Sequence, residues 1–282
     1  MIKPGGTKLK PVVIAAAIFI AAIVLAAVFA DFIAPHSPYE INLQKRLLPP
    51  CWQEGGSFTY PLGTDLVGRD ILSRLIYGSR ASLVVAVMTI LLAGGIGLVV
   101  GLVSGYSGGV VDAILMRIAD AALAFPLILL ALLLVIVLGP GFANVIIAVV
   151  LMLWARYARV VRGETMSLKG RDFITLAQIA GCSTSRILLH HLFPNVLNTL
   201  LVLMTLQVGW VIVLEATLSF LGAGVPPPTP AWGSMVAEGR NYLNSAWWIV
   251  GMPGMAILFT VLSFNMVGDW IRDVLDPRLR QL

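Results

Sequence analysis

Six long apolar segments divide this sequence, and each is long enough to cross a lipid bilayer as a helix. A helix rises about 1.5 Å per residue, so about 20 apolar residues cross the roughly 30 Å hydrocarbon core. The predicted spans are residues 11–30, 83–103, 113–138, 142–158, 196–221 and 247–267. Because backbone polar groups must be paired within lipid, these segments predict an all-α membrane protein with six transmembrane helices.

Composition excludes several other classes of protein. Of the 282 residues, 59% are hydrophobic and only 12% are charged, whereas a soluble domain has about 25% charged residues. A cytosolic enzyme, a disordered chain and a secreted disulfide scaffold are therefore excluded. The first segment has an alternative interpretation as a signal peptide, but its 20-residue apolar run exceeds the roughly 7–15 residues of a signal core. We favour a retained anchor helix.

The distribution of basic residues predicts the orientation of the chain. Of 19 Lys and Arg residues, thirteen fall on one side of the predicted spans and six on the other, and the richer side is normally cytoplasmic. Both termini are then cytoplasmic. The thirteen are Lys3, Lys8, Lys10, Arg117, Arg156, Arg159, Arg162, Lys169, Arg171, Arg186, Arg272, Arg278 and Arg280. This predicts three parts: a first helix in 1–30, an external segment in 31–82, and a five-helix core in 83–282 with a cytoplasmic loop at 159–195.

The end of the external segment has an amphipathic pattern that predicts a short interfacial helix before the second span. Its two faces are Ile71, Leu72, Leu75 and Ile76 against Arg69, Asp70 and Arg74.

Glycines repeat every fourth residue in the second span, at Gly97, Gly101 and Gly105. Such a stripe allows two helix backbones to approach closely. The partner is either another helix of the same bundle, which we favour, or a second subunit. Pro126 and Pro253 predict kinks in the third and sixth spans.

Charged residues inside spans are costly and normally face a partner or a cavity. Arg117 and Asp120 lie three residues apart, which predicts a self-neutralising pair on one helix face. Glu215 has no basic neighbour in sequence. It either lines a substrate path or is a carboxyl group hydrogen-bonded between helices. Gln207, Trp210 and Glu215 are the predicted path-lining residues of the fifth span.

The loop before the fifth span has a helix–turn–helix pattern. Asp172 is the predicted cap of a first helix, and Gly181 supplies the permissive backbone for a turn. A second helix is predicted from about Ser183 to a stop at Phe193-Pro194. The pair is either a docking projection for another protein or a cover over the ends of this chain's own helices.

The same loop resembles the EAA loop of bacterial ABC-importer permeases. The resemblance lies in Phe173-Ile-Thr-Leu-Ala-Gln-Ile-Ala-Gly181 and His191-Leu-Phe-Pro-Asn195. Thr175 stands where the family usually has Glu, and Leu176 and Ala177 stand at its two Ala positions. In that family the loop inserts into a cleft of the ATPase subunit. The coupling residues so implied are Asp172, Phe173, Thr175, Leu176, Ala177, Gly181, Ile187 and Pro194.

Further motifs resemble the second ("C") permease of the dipeptide/oligopeptide/nickel importers. They include Pro61-Leu-Gly-Thr-Asp65, Glu215-Ala-Thr-Leu-Ser-Phe-Leu-Gly222 and Asn265-Met-Val-Gly-Asp-Trp270. The resemblance implies a multi-pass protein of the bacterial inner membrane that contacts lipid and no nucleic acid. It implies three kinds of partner: a homologous permease, two ATP-binding subunits and an external substrate-binding protein.

The chain itself is not predicted to be an enzyme. It lacks the G-x-x-x-x-G-K-[ST] phosphate loop, and no metal-ligand pattern or cofactor motif is present. The resemblance implies that ATP and Mg are bound by the partner ATPase. Import of nickel or another small solute by the same machinery is an alternative. An ATP-independent secondary transporter would need inverted repeats or an ionisable relay, and a membrane enzyme would need a nucleophile–base or metal pair. The sequence favours neither.

Overall fold

The computed structural model describes residues 10–275. Eleven α-helices are numbered here in chain order. They are α1 (Pro11–Val28), α2 (Ala30–Ile33), α3 (Ile71–Ser107), α4 (Gly109–Ala124), α5 (Leu127–Leu138), α6 (Phe142–Lys169), α7 (Asp172–Ile179), α8 (Thr184–Arg186), α9 (Phe193–Phe220), α10 (Trp232–Gly239) and α11 (Trp248–Leu275). Short 3₁₀ turns cover Leu43–Lys45 and Arg240–Tyr242. Lys3, Lys8, Arg278 and Arg280, used in the charge count, lie outside the described residues.

Five helical segments of the described chain are long and apolar enough to cross a membrane, or up to six if one bent pair is a single span. The bent pair is α4 and α5, which meet at 92°. The predicted third span is therefore broken rather than kinked. Phe125 and Pro126 both have extended backbone at the break, because proline disfavours the helical conformation of the residue before it. Pro253, in contrast, lies inside α11, which stays helical around it.

The helices α3 and α6 pack closely against each other along the glycine stripe. A Cβ atom added at Gly97 would lie 2.4 Å from the Tyr157 Cβ, and one at Gly101 would lie 2.7 Å from the Ala158 carbonyl oxygen. At Gly105 the distance to the Thr165 Cβ would be 2.7 Å. The stripe thus faces a helix of the same chain, and only glycine permits this separation.

The prediction of a separate interfacial helix before the second span is wrong, because Ile71–Ser107 forms one continuous helix. Asp70 is its N-cap and accepts a hydrogen bond from the Ser73 amide (3.0 Å). Arg74, predicted on a polar face, is only 2% exposed. It is buried because Asp65 and Glu238 bind it, the latter at 2.9 Å. Acidic partners from distant segments outweighed the local amphipathic pattern.

The end of the bundle that holds this charge cluster also carries the long connections of the chain. Trp232 of α10 packs on Gly78, and its indole N–H donates to the Leu75 carbonyl of α3 (3.0 Å). Trp248 at the start of α11 donates to the Thr64 carbonyl (3.2 Å). We call this part of the molecule the loop-rich end. Its polar contacts join α3, α10 and α11.

The stop predicted for the second helix of the loop at Phe193-Pro194 is wrong, because the helix continues through these residues. A π-helical turn, Ile187–Leu192, connects α8 to α9 without a break, and the whole of Thr184–Phe220 is one candidate span. Pro194 has no amide hydrogen and its ring disturbs the preceding turn. A wider turn placed just before proline accommodates both effects and lets the helix continue.

Glycine at position 97 gives a direct test of the α3–α6 contact. We expect Gly97→Ala to reduce the thermal stability of the purified chain, because overpacking costs about 1–3 kcal/mol. Gly95→Ala, two residues away on the same helix, is the matched control because its added Cβ meets nothing within 4 Å. Equal unfolding temperatures for the two variants would contradict the contact.

Candidate functional site

The helix α7 projects from the end of the bundle opposite the loop-rich end, and one of its faces is anchored. Ile174 is fully buried and Ala177 is 9% exposed, and both join the core formed by α6, α9 and the π-helical turn. From that turn, Ile187 and Leu192 are also buried in the same core. The predicted cap is corrected: Arg171 is the N-cap residue and Asp172 is the first helical residue, with no side-chain capping bond.

Gly181 ends α7 with two hydrogen bonds that define a Schellman motif. The Gly181 amide donates to the Gln178 carbonyl and the Cys182 amide donates to the Ala177 carbonyl, both at 3.0 Å. Gly181 has φ of +76°, a conformation that glycine adopts without the steric cost borne by other residues. The turn predicted at this glycine is therefore present, and it fixes where the chain leaves α7.

The other face of α7 is apolar and open to solvent. Leu176 is 64% exposed and Ile179 is 78% exposed, and Phe173 and Thr175 lie beside them. Pro194 is also exposed, further along on α9. The predicted coupling residues thus divide into two groups. Ala177 and Ile187 hold the segment on the bundle, while Phe173, Thr175 and Leu176 are available to a partner.

Polar contacts tie α6 and α7 to the end of α3. The Lys169 ammonium group donates to the Tyr106 carbonyl (2.5 Å) and lies 5.2 Å from the centre of the Tyr106 ring. The Gln178 amide group reaches the Tyr106 hydroxyl at 3.5 Å. Sequence reasoning missed this contact, although a lysine in the last turn of a helix is a signal for interaction with exposed carbonyl groups. The Gln178 contact adds to the packing that holds α7 on the bundle.

Two ion pairs join α4 to α6 near the same end. Arg162 binds Asp112 through both carboxylate oxygens, each at 2.6 Å, and Arg159 binds Asp120 at 2.6 Å. The predicted pairing of Arg117 with Asp120 is therefore wrong. Asp120 pairs instead with Arg159, which approaches it from the neighbouring helix α6.

The three predicted path residues lie along α9 in different environments. Glu215 has no exposed surface and accepts hydrogen bonds from Ser82 of α3 (3.0 Å) and Ser219 (2.7 Å). These bonds match the helix-interface alternative, and the role of Glu215 in lining a path stays a prediction. Gln207 and Trp210 are half-buried. Trp210 borders an open apolar groove of about 340 Å³ beside Pro126, and the Arg156 guanidinium lies 5.4 Å from the centre of its ring.

Within residues 10–275, no group of three or more His, Cys, Asp or Glu side chains is placed to hold a metal ion. The distinctive features are a clamped apolar projection at one end of the bundle and a half-buried face on α9. Such an arrangement can transmit a displacement from a docked protein to the spans.

Two known protein families match this sequence. Residues 97–281 match the family described as binding-protein-dependent transport system inner membrane component. Residues 8–50 match the N-terminal TM domain of oligopeptide transport permease C. The matched regions include the glycine stripe, α7 and the first span.

Similar proteins cover nearly the whole chain. The dipeptide transport system permease protein DppC of Haemophilus influenzae is 44% identical over 94% of this chain and 90% of its own length. The Escherichia coli K12 DppC is 43% identical, over 94% and 88%. The di/tripeptide permease DppC of Pseudomonas aeruginosa is 41% identical, over 93% and 87%. An inward-facing structure of the MetNI methionine ABC transporter shares the fold, with a TM-score of 0.59 at 18% identity, over 73% of this chain and 98% of that one.

Substitution of Gly181 tests the end of α7. We expect Gly181→Ala to loosen it by about 1–2 kcal/mol because of the positive φ, and Gly181→Pro to do more, since it also removes the amide that bonds to Gln178. Hydrogen exchange of the amides at 180–182 measures this. Gly170→Ala is the control, because the φ of Gly170 is −79°. Unchanged protection in Gly181→Ala would refute the motif's role.

Glu215 can be tested by keeping or removing its hydrogen bonds. We expect Glu215→Gln to retain normal stability because the amide can still bond to Ser82 and Ser219. Glu215→Ala should lose about 1–3 kcal/mol, the usual cost of unpaired buried hydroxyl groups. Unfolding in detergent measures both. Strong destabilisation by Glu215→Gln would show that the negative charge itself is required.

Proposed function

Because this chain belongs to the family of binding-protein-dependent transport system inner membrane components, we propose that it forms half of the translocation path of an ATP-driven importer of dipeptides and oligopeptides. The observation that carries the proposal is the clamped apolar helix α7 at one end of a bundle of membrane-spanning helices. Several of the relatives are named as dipeptide or di/tripeptide permeases. That naming supports peptides as the cargo.

The role of α7 follows from its two faces. Phe173, Leu176 and Ile179 present an exposed apolar surface that suits a hydrophobic cleft in an ATPase subunit, because burying such a surface is favourable. Ile174 and Ala177 on the opposite face are packed into the bundle. A push on the exposed face is therefore transmitted to α6 and α9. ATP binding and hydrolysis, with Mg, take place in the partner.

The remaining partners are assigned to other surfaces. A homologous permease would cover apolar residues of α5 that this chain leaves exposed, such as Leu133, Ile136 and Val137. An external substrate-binding protein would deliver its ligand at the loop-rich end. This orientation places both termini and α7 in the cytoplasm, in agreement with the basic residues counted on that side.

The path itself is proposed to run along α9. Gln207 and Trp210 are half-buried, and Trp210 borders the groove beside the break at Pro126. Because the transported ligand contacts these residues only transiently, the path needs no deep pocket. The binding protein then sets most of the specificity, and the path mainly has to admit short peptides.

A charge on the exposed face of α7 tests the coupling role. In the assembled importer we expect Leu176→Asp to reduce peptide uptake at least tenfold and to abolish stimulation of the ATPase by loaded binding protein. A buried charge without a partner costs several kcal/mol at an interface. Leu176→Met is the matched control, since it preserves volume and apolar character. Uptake of radiolabelled dipeptide and phosphate release are the measurements.

Variants that disturb the seat of α7 should uncouple transport by another route. Gly181→Pro breaks its final turn, and Ala177→Glu forces a charge into the core. Normal uptake together with normal ATPase stimulation in Leu176→Asp, despite correct membrane insertion, would overturn the proposal.

A further inference from the structure

A groove on the outside of the bundle, between α1 and α3, has the features of a binding site that transport does not explain. It has a volume of about 520 Å³. One wall is formed by Ile20, Val24 and Val28 of α1, and the other by Val84, Val87 and Met88 of α3. Phe264 of α11 contributes to the lining. All these side chains are apolar, so an occupant of this part must be apolar as well.

The depth of the groove matches one half of a bilayer. Its residues on α1 run from Ile20 to Val28, a rise of about 12 Å along the helix. One leaflet contributes about 15 Å of hydrocarbon. The groove begins at the ends of α1 and α3 that meet at the loop-rich end, where Arg80 bonds to the last turn of α1. An acyl chain of that leaflet therefore fits its length.

The rim of the groove is charged, and its charges are held in place. The Arg80 guanidinium donates from Nε to the Ala27 carbonyl (2.8 Å) and from Nη2 to the Val28 carbonyl (3.3 Å). It also pairs with Asp31 at 3.2 Å. Among the described residues Nη1 of Arg80 has no hydrogen-bond partner, and the side chain is 40% exposed. A partly exposed guanidinium held by these bonds thus lines the same groove as the apolar side chains.

Asp31 supplies the complementary negative charge. Its carboxylate accepts a hydrogen bond from the Tyr77 hydroxyl (2.7 Å) and is 60% exposed. The Tyr77 hydroxyl, followed by the Arg80 guanidinium, lowers the pKa of Asp31, so this carboxyl group is ionised at neutral pH. The rim therefore presents one positive and one negative group side by side.

From the apolar groove and its paired rim charges, we infer that this site binds a phospholipid with a zwitterionic aminoethyl headgroup, such as phosphatidylethanolamine. Arg80 Nη1 donates a hydrogen bond to the phosphate, whose geometry suits a guanidinium group. The Asp31 carboxylate accepts a hydrogen bond from the primary ammonium, which has three N–H donors. One acyl chain lies between α1 and α3. Only Ala16 and Ala27 of α1 are buried, so the lipid would add contact between α1 and α3.

The inference is tested on the full chain purified with the subunits it assembles with, after removal of lipid. Binding of phosphatidylethanolamine, phosphatidylcholine and phosphatidylglycerol is measured by native mass spectrometry. We expect phosphatidylethanolamine to bind roughly tenfold more tightly than the others, equivalent to about 1.4 kcal/mol. The choline headgroup has no N–H donors for Asp31, and the glycerol headgroup has no cation.

Variants separate the headgroup contacts from the groove. Arg80→Gln should weaken phosphatidylethanolamine binding about tenfold, and Asp31→Asn should remove the preference among the three lipids. Val87→Trp fills the groove without touching the rim and should abolish binding. Val99→Trp, on an exposed part of α3 outside the groove, is its matched control and should bind normally.

Three results would overturn the inference. The first is equal affinity for the three lipids, and the second is unchanged binding in Val87→Trp. The third is a disulfide or cross-link from Met88→Cys to a helix of another membrane subunit in the assembled complex, which would assign the groove to a protein contact. All three are independent of peptide transport, so they leave the proposed function unaffected.

Discussion

The contact between α3 and α6 is the interaction on which the rest of the structure depends. Inside a bilayer, burial of apolar side chains gives little drive for helices to associate, because lipid tails are equally apolar. Association then depends on close van der Waals contact. Gly97, Gly101 and Gly105 bring the backbone of α3 against α6 over about two helical turns. α7 follows the end of α6, and two ion pairs join α4 to α6. The positions of α4 and α7 therefore depend on the contact between α3 and α6.

The two ends of the bundle are built for different tasks. At the loop-rich end, Asp65, Arg69, Arg74 and Glu238 form a network that fixes the start of α3 against α10. At the other end, α7 is held by its buried face while its apolar outer face stays open. Under the proposed function, the frame at one end and the projecting helix at the other would convert a push from the partner into a tilt of the spans.

The sequence predicted the parts whose cause is local. Hydropathy located the spans, the glycine spacing indicated a close helix contact, and Gly181 marked the turn after α7. It failed where distant partners decide. Arg74 looked like a surface residue until Glu238, 164 positions away, was placed against it. Asp120 looked like a partner for Arg117 until α6 brought Arg159 beside it. Pro194 looked like a helix stop because periodicity gives no warning of a π-helical turn.

The role of α7 is tested most directly by thiol labelling of Leu176→Cys, with Cys51 and Cys182 replaced by Ser. We expect a membrane-impermeant maleimide to label this residue only in inside-out membrane vesicles, and assembly with the ATPase subunits to block the labelling. Labelling of intact cells, or labelling that is unchanged when the ATPase subunits are bound, would contradict a cytoplasmic projection driven by a nucleotide-hydrolysing partner.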